Sequence, residues 1–444
     1  MGSSNKINRR KFLKRASVST LGAGMVSAGS FAASERVNTA EPAVIKEYRT
    51  FGKTGFRVSD LSSGAPTNEA VLKAAVDSGI NLIDAGEVYM NGNSERMIGK
   101  VLKDRDRSNF FVNSKLYTEE DSFPSKKEVI ERTMQVLERI QSDYVDGMMI
   151  HSVENTKILK DEAFHAGMEQ MKKEGKVRHV GLSCHGNNWA YNTDENLETI
   201  LMTAIDDGRF DIILLAYNFI NADIAEKILD RCEQKGIATM IMKSNPVHIF
   251  GLLDSRMQKM VEEGREADEF TQAYYDKYKK MNEQAKSFFE RYGISGEKDL
   301  KEAASRYVLS NPKAHTTLWD FQSFDELESM LGLSGQKLTQ QDNIVLNGHR
   351  NELGHTACRI GCNDCEAACP HHIPVNKILR YNYYFSVKKQ EKRAMEKYAK
   401  LDLPNSADLC ASCEGHCEKA CKYGVWTRPL LAAARQNLEL SFYV

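Results

Sequence analysis

Several features that would assign this chain to a class at once are missing from it. There is no excess of charge of either sign, with 60 Lys and Arg against 61 Asp and Glu, so nothing indicates nucleic acid as a partner. Beyond the N-terminal segment no apolar run is long enough to cross a bilayer, so we expect no stable membrane span. Cysteine is scarce over most of the chain, where only Cys184 and Cys232 occur, and we expect both to be small buried residues. The other eight cysteines lie between Cys358 and Cys421.

The first 35 residues have the form of a twin-arginine export signal. Arg9 and Arg10 precede a Lys-Phe-Leu-Lys run and a weakly apolar stretch over Ala16–Ala33 that ends in small residues. This order predicts export of an already folded protein to the periplasm or cell envelope. A disordered basic tail and a retained N-terminal anchor are the alternatives.

From Glu47 onward, short apolar runs alternate with amphipathic helical stretches. The strand candidates are Val58–Gly64, Asn81–Ala85, Phe110–Leu116, Tyr144–Ser152, Val177–Ser183, Phe210–Asn218, Ile237–Lys243 and Thr316–Phe321. Strict alternation over eight units predicts an α/β fold, a (β/α)8 TIM barrel over residues 47–333. A doubly wound open sheet is the alternative, but the Gly-rich turn typical of it is absent after the first strand.

Two further segments depart from this alternation. Residues 254–296 are highly charged and predict a helical insertion, which would cover the barrel rim or dock a partner or the C-terminal domain. Residues 337–444 contain the eight clustered cysteines between helical stretches and predict a small C-terminal α-helical domain.

Four polar residues fall at or just beyond the carboxyl ends of successive predicted strands, where (β/α)8 barrels carry their active sites. Asp84 ends the second strand and Tyr89 follows it, while Lys115 and His151 end the third and fourth. A tyrosine can protonate a carbonyl oxygen, and a neighbouring lysine would lower its pKa by favouring the phenolate. Ordinary structural roles, such as helix capping by Asp84, and a vestigial site are the alternatives.

Over residues 47–333 the chain resembles the aldo-keto reductases. The run from Asp84 to Tyr89, the following Ser94-Glu95 pair and His151 are similar to that family's catalytic segments. The resemblance implies interconversion of a small carbonyl substrate and its alcohol. Tyr89 would then donate the proton, Lys115 would tune it, Asp84 would hold Lys115, and His151 would orient and polarise the carbonyl oxygen.

The same resemblance implies a nicotinamide cofactor, NADP(H). Its candidate contacts are Ser183 on the fifth strand, Tyr217 on the sixth, and Lys243 and Ser244 after the seventh. The family's Asn beside Ser183 is Cys184 here, and the Gly-containing turn after the eighth strand lacks glycine. These departures weaken the expectation of a bound nicotinamide.

The clustered cysteines form two tight runs, and four thiolates within a dozen residues, twice over, predict two [4Fe–4S] clusters. The runs are Cys358, Cys362, Cys365 and Cys369, then Cys410, Cys413, Cys417 and Cys421. Disulfides and paired zinc sites are the alternatives.

The cysteine region resembles the two-cluster ferredoxins, in which the last cysteine of each run binds the other cluster. Carried over, one cluster would use Cys358, Cys362, Cys365 and Cys421. The other would use Cys369, Cys410, Cys413 and Cys417.

Together these patterns predict an exported carbonyl–alcohol oxidoreductase whose clusters relay electrons to or from a redox partner protein. The alternative is a non-catalytic barrel that serves as an electron-transfer or assembly subunit. Altered nicotinamide contacts favour the alternative, and the four ordered catalytic positions favour the enzyme.

Overall fold

The computed structural model describes residues 43–118, 121–186, 195–246, 262–264, 266, 269–388, 390–401, 409–410 and 413–439. The predicted export signal and the first part of the predicted charged insertion lie outside these residues.

Eight parallel strands form a closed barrel, which confirms the predicted (β/α)8 fold. They are β3 (Leu61–Gly64), β4 (Leu82–Asp84), β5 (Phe111–Leu116), β6 (Val145–Val153), β7 (Val177–Cys184), β8 (Ile212–Ala216), β9 (Ala238–Met242) and β10 (Thr316–Trp319). β10 pairs with β3 and closes the ring. Because all eight strands are parallel, their carboxyl ends form one mouth.

Amphipathic helices surround the barrel and bury their apolar faces against it. In chain order they are α1 (Glu69–Asp77), α2 (Asn93–Leu102), α3 (Lys126–Ile140), α4 (Glu162–Lys173), α5 (Leu197–Asp207), α6 (Ala222–Lys235), α7 (Glu269–Tyr292), α8 (Glu297–Ser310), α9 (Phe324–Leu331) and α10 (Gln340–Leu353). Side-chain caps begin several of them; the Ser125 hydroxyl, for example, accepts a hydrogen bond from the Glu128 N–H at the start of α3.

The single strand predicted over Val58–Gly64 is two strands in the structure. β1 (Tyr48–Thr50) and β2 (Arg57–Ser59) form an antiparallel hairpin outside the barrel, and β3 begins at Leu61. Asp60 separates them, since its carboxylate accepts hydrogen bonds from the Ser334 hydroxyl and the Gly335 N–H, both at 2.8 Å. A long-range polar anchor therefore interrupts a run that looks continuous in sequence.

The C-terminal region is helical and packs across the barrel mouth. Its main helices are α11 (Val375–Ser386), α12 (Glu391–Ala399), α13 (His416–Ala420) and α14 (Thr427–Leu438). Helix α7 of the predicted insertion packs against α14, with Met281 in the same apolar cluster as Leu431. Lys277 of α7 lies 4.7 Å from the Trp426 ring. This part of the insertion therefore contacts the C-terminal region.

None of the helices in the described ranges combines the length and apolar character that a bilayer span requires.

Candidate active site and cysteine cavities

The structure brings together the four polar side chains at the strand ends of β4, β5 and β6. The Lys115 ammonium lies 2.5 Å from Asp84 Oδ2 and 4.9 Å from the Tyr89 ring centroid. The Tyr89 hydroxyl lies 3.2 Å from His151 Nε2. The Asn113 amide also donates to Asp84 Oδ1 at 2.6 Å, a contact that the sequence did not indicate.

Burial controls the electrostatics of this group. Burial lowers the pKa of Lys115, but the adjacent Asp84 carboxylate more than offsets this and keeps the ammonium charged. Burial raises the pKa of Tyr89, and Lys115 opposes only part of that effect. The expected lowering of the Tyr89 pKa is therefore wrong as a net result. The Tyr89 hydroxyl is therefore protonated and uncharged at neutral pH.

His151 is held neutral. Burial lowers its pKa well below the ordinary value, and the charges of Lys115, Arg393 and Lys397 act in the same direction. Within the described residues its Nδ1 has no hydrogen-bond partner, so Nε2 toward Tyr89 makes its one close polar contact. A neutral imidazole in this position can share a hydrogen bond with a phenol and with a carbonyl oxygen.

Strained backbone accumulates around the same mouth. Met90 and Asn91 after Tyr89, Ser152 after His151, and Lys243 after β9 all have φ between 51° and 60°. The left-handed conformation is unfavourable for Met, Ser and Lys, though Asn tolerates it, and it tends to persist where surrounding structure enforces it, often at functional sites.

Comparisons with known proteins identify the family of this chain. The model of the aldo/keto reductase family matches residues 50–350. The chain belongs to the aldo/keto reductase family. Family membership and named relatives make it an oxidoreductase.

Aldo-keto reductase YhdN of Bacillus subtilis is 25% identical over 326 residues, which are 68% of this chain and 92% of that protein. L-galactose dehydrogenase of Arabidopsis thaliana is 28% identical over 225 residues, 47% of this chain and 67% of that protein. Among solved structures, the holo form of an aldo-keto reductase from Bacillus halodurans is 20% identical, with 68% of this chain and 95% of that chain covered and a TM-score of 0.46.

The candidate nicotinamide contacts do not converge in this family member. Ser183 is buried, and its hydroxyl accepts the Ser152 N–H at 2.8 Å. Tyr217 points into the layer between barrel and helices, where its hydroxyl donates to Glu226 at 3.1 Å. The structure therefore does not bring Tyr217 to the Tyr89 site.

The C-terminal region lies against the remaining candidate contacts. Lys243 Nζ sits 4.5 Å from the Tyr384 ring centroid of α11, and the adjacent Ser244 is buried. Lys388, just after α11, lies 5.6 Å from the ring of Trp319, the last residue of β10, and 3.9 Å from Asp320, which follows it. The loops expected to hold a dinucleotide thus contact a helix that the family match does not include.

The cysteines line two small cavities. The first is lined by Cys358, Cys362, Cys365 and Cys421. The second is lined by Cys369, Cys410, Cys413 and Cys417. The fourth cysteine of each run therefore crosses to the other cavity, in the grouping that the ferredoxin resemblance implies.

The two halves of the cysteine region repeat the same contacts. The Ile373 N–H donates to Cys369 Sγ, and the Val425 N–H donates to Cys421 Sγ, each at 3.4 Å. Likewise the Glu366 carboxylate accepts the N–H of Asn376 at 2.7 Å, and the Glu418 carboxylate accepts the N–H of Arg428 at 3.0 Å. The Asn376 side chain adds a hydrogen bond to Cys358 Sγ at 3.3 Å. The two cysteine runs could be recognised in the sequence, but the hydrogen bonds of Glu366 and Glu418 to backbone N–H groups were not predicted from it.

All ten cysteines are free thiols, and Cys184 and Cys232 are buried as expected. Burial raises the pKa of both Cys362 and Cys417 to about 11, so the unliganded thiols stay protonated. Among the described residues, no three His, Cys, Asp or Glu side chains are arranged to hold a single metal ion. The thiols of each set instead surround a larger space.

Proposed function

We propose that this aldo/keto reductase family member is an exported enzyme that interconverts a carbonyl and an alcohol, with electrons relayed through two [4Fe–4S] clusters. The observation that carries the catalytic part is the contact between Tyr89 and His151 beside the buried Lys115–Asp84 pair.

Reduction of a carbonyl to an alcohol takes up two electrons and two protons, one proton at oxygen and one at carbon. The two electrons would come from a reduced partner protein through the clusters, with the carbon proton taken from solvent, or from NADPH as a hydride that carries the carbon hydrogen with it. Tyr89 gives the proton at the carbonyl oxygen as negative charge develops there, and Lys115 stabilises the resulting phenolate. His151 holds the carbonyl oxygen in line with the Tyr89 hydroxyl. Oxidation of an alcohol runs the same steps in reverse.

The cysteine cavities support the electron-transfer part. Each has four thiols from both halves of the repeat, and N–H groups donate to Cys358, Cys369 and Cys421, as they do to cluster-bound sulfurs. Clusters there would supply electrons one at a time to the region of the barrel mouth. Cys362 packs against the barrel core, so the first cavity adjoins the barrel.

A purified sample tests both parts. The full chain should be prepared anaerobically, its iron and sulfide counted, and NADPH binding recorded by fluorescence. Carbonyl reduction should then be assayed with NADPH and with reduced methyl viologen as alternative electron donors. We expect about eight irons per chain, as two [4Fe–4S] clusters require. Carbonyl reduction should be lost in Tyr89→Phe and kept in Tyr144→Phe, a control at the opposite end of β6.

The alternative is a non-catalytic barrel in an electron-transfer or assembly subunit. It is favoured by the contact of α11 with Lys243 on the cofactor side of the mouth. Eight irons with no NADPH binding, and no effect of Tyr89→Phe on reduction of any carbonyl with either donor, would establish this alternative. Iron-free protein from an anaerobic preparation would refute the clusters.

Export is the third part of the proposal and rests on the paired arginines at positions 9 and 10. Cell fractionation of the full chain and of an Arg9→Lys, Arg10→Lys variant tests it. The variant should stay in the cytoplasm with its clusters intact; export of both forms to the same extent would contradict a twin-arginine route.

A further inference from the structure

Four cations lie at the barrel mouth, near the Tyr89–His151 pair or the neighbouring His185. They are Lys243 after β9, Arg380 on α11, and Arg393 and Lys397 on α12. None of the four forms a salt bridge with any described residue. Most other cations around the mouth are paired, so this concentration of uncompensated positive charge is specific to the site.

Two of these cations, Arg393 and Lys397, act on His151, and Arg380 and Lys243 act on the neighbouring His185. The Arg393 guanidinium carbon lies 5.8 Å from the Tyr89 ring centroid, and its charge lowers the pKa of His151, in addition to the larger effect of burial. Burial also lowers the pKa of His185, and the charges of Arg380 and Lys243 lower it further. Helices α11 and α12 and the loop after β9 thus each place positive charge at the barrel mouth.

The acidic groups that face the same space are already engaged. Asp84 is paired with Lys115, Asp320 lies 3.9 Å from Lys388, and Glu154 lies 3.5 Å from Lys377.

Glu366 is the remaining acid near Arg380. Its Oε1 accepts the Asn376 N–H, and no ion pair within 4.0 Å joins it to Arg380. The cations therefore keep a net positive charge at the mouth.

Arg380 is the buried member of the set. Only 5% of its surface is exposed, yet its Nε and Nη1 have no hydrogen-bond partner among the described residues. Buried guanidinium groups nearly always have their N–H groups satisfied, because leaving a desolvated charge unpaired is costly. Two free N–H directions on a planar fork match an oxyanion.

We propose that the substrate of this site carries an oxyanion, a carboxylate or a phosphate, which binds Arg380 with help from Lys397, Arg393 and Lys243. Its carbonyl or hydroxyl group then lies at Tyr89. This inference rests on the proposed carbonyl–alcohol chemistry and names its substrate class. It also assigns α11 and α12 a role in substrate recognition.

Three aromatic aldehydes make a matched probe set: 4-carboxybenzaldehyde, its neutral methyl ester, and 4-formylphenyl phosphate. Calorimetric titration into the anaerobic holoprotein compares their affinities. We expect one or both anions to bind about 10- to 100-fold more tightly than the ester, as for a charge-assisted hydrogen bond. The tighter anion identifies the carboxylate or the phosphate as the preferred group.

Variants identify the groups responsible. Arg380→Gln should abolish the preference for the anion, and Arg393→Gln with Lys397→Gln should reduce it. Lys392→Gln is the control, since Lys392 is an exposed cation on α12. Arg393 and Lys397 are less buried than Arg380, so the double variant should fold even if Arg380→Gln does not. The test then still decides the inference.

Equal affinity for the anions and the ester would overturn the inference. So would an Arg380→Gln variant that loses NADPH affinity but keeps its preference for the anions, because the cations would then serve a dinucleotide. Binding needs no turnover, so anion preference without carbonyl reduction would refute the proposed function alone. Turnover of the acid and the ester at equal affinity would refute this inference alone.

Discussion

Docking of the cysteine region on the barrel depends on one glycine. Gly361 has φ of +89°, and its carbonyl accepts the Leu197 N–H of α5 at 3.1 Å. A Cβ at this position would lie 2.5 Å from the Leu197 Cβ and 2.8 Å from its Cδ2. Real Cβ atoms do not approach neighbours this closely, so Gly361→Ala must shift α5 or the cysteine loop.

The expected cost has two parts. A left-handed alanine costs about 1–2 kcal/mol. Overpacking against Leu197 adds about 1–3 kcal/mol. Gly424→Ala is a matched control within the same domain, because Gly424 also has positive φ, +62°, but its Cβ would meet nothing within 4 Å. The control should therefore show only the first cost.

Urea unfolding of the anaerobic holoprotein, followed by circular dichroism and by visible cluster absorbance, measures both variants. We expect Gly361→Ala to lose about 1–3 kcal/mol more than Gly424→Ala. Adding Leu197→Gly to Gly361→Ala removes the Leu197 Cβ as well as its outer atoms and should abolish most of the excess, compared with Leu197→Gly alone. Equal losses in the two glycine variants, or no relief from Leu197→Gly, would show that this contact does not hold the cysteine region on the barrel.

Three further predictions concern the site. Lys115→Met leaves Asp84 buried and unpaired, so urea unfolding should show a loss of about 3–5 kcal/mol. Tyr384 has a pKa of about 8, because cations led by Lys243 outweigh burial. Ionised Tyr384 stabilises the fold fully above pH 10, and this stabilisation is lost as the pH falls through 8. Between pH 8 and pH 10 the free energy of unfolding of the wild type should therefore rise by about 2.7 kcal/mol relative to that of Tyr384→Phe. Asn376→Leu removes a hydrogen bond to Cys358 Sγ and should lower the potential of one cluster in electrochemical titration.

Each of these has an outcome that contradicts it. Lys115→Met should be largely rescued by adding Asp84→Asn, and absence of rescue would mean that the pair is not the cause. A difference between wild type and Tyr384→Phe that stays constant from pH 8 to pH 10 would refute the lowered pKa. If each cluster has the same reduction potential in Asn376→Leu as in the wild type, the Asn376 amide does not act on the Cys358 sulfur.

The barrel was readable from sequence because its signals are local. Strands such as Val177–Cys184 are short apolar runs between helices with one apolar face, and parallel order follows from alternation. The same logic placed Asp84, Lys115 and His151 on one rim, since carboxyl ends of parallel strands meet. The prediction of a single strand over Val58–Gly64 was wrong, because the break at Asp60 depends on a hydrogen bond from Ser334, far away in the chain.

Electrostatic results depended on burial, which the sequence does not specify. Lys115 was expected to lower the pKa of Tyr89, but desolvation outweighs that charge. Tyr217 was placed on a strand end in sequence, yet its side chain turns into the helix layer. One residue of register decides which side of a strand a side chain faces, and packing sets that register.

Sequence alone determined the kinds of chemistry this protein can hold, a proton-donating barrel site and two sets of four cysteines, because residue types and local spacing carry that information. Only the tertiary structure decided how they meet. It folds α11 and α12 over the mouth, and brings Arg380 near His185 and Arg393 to the ring of Tyr89, about three hundred positions earlier in the chain. Such contacts arise from the packing of distant surfaces, which leaves no periodic signal in the sequence.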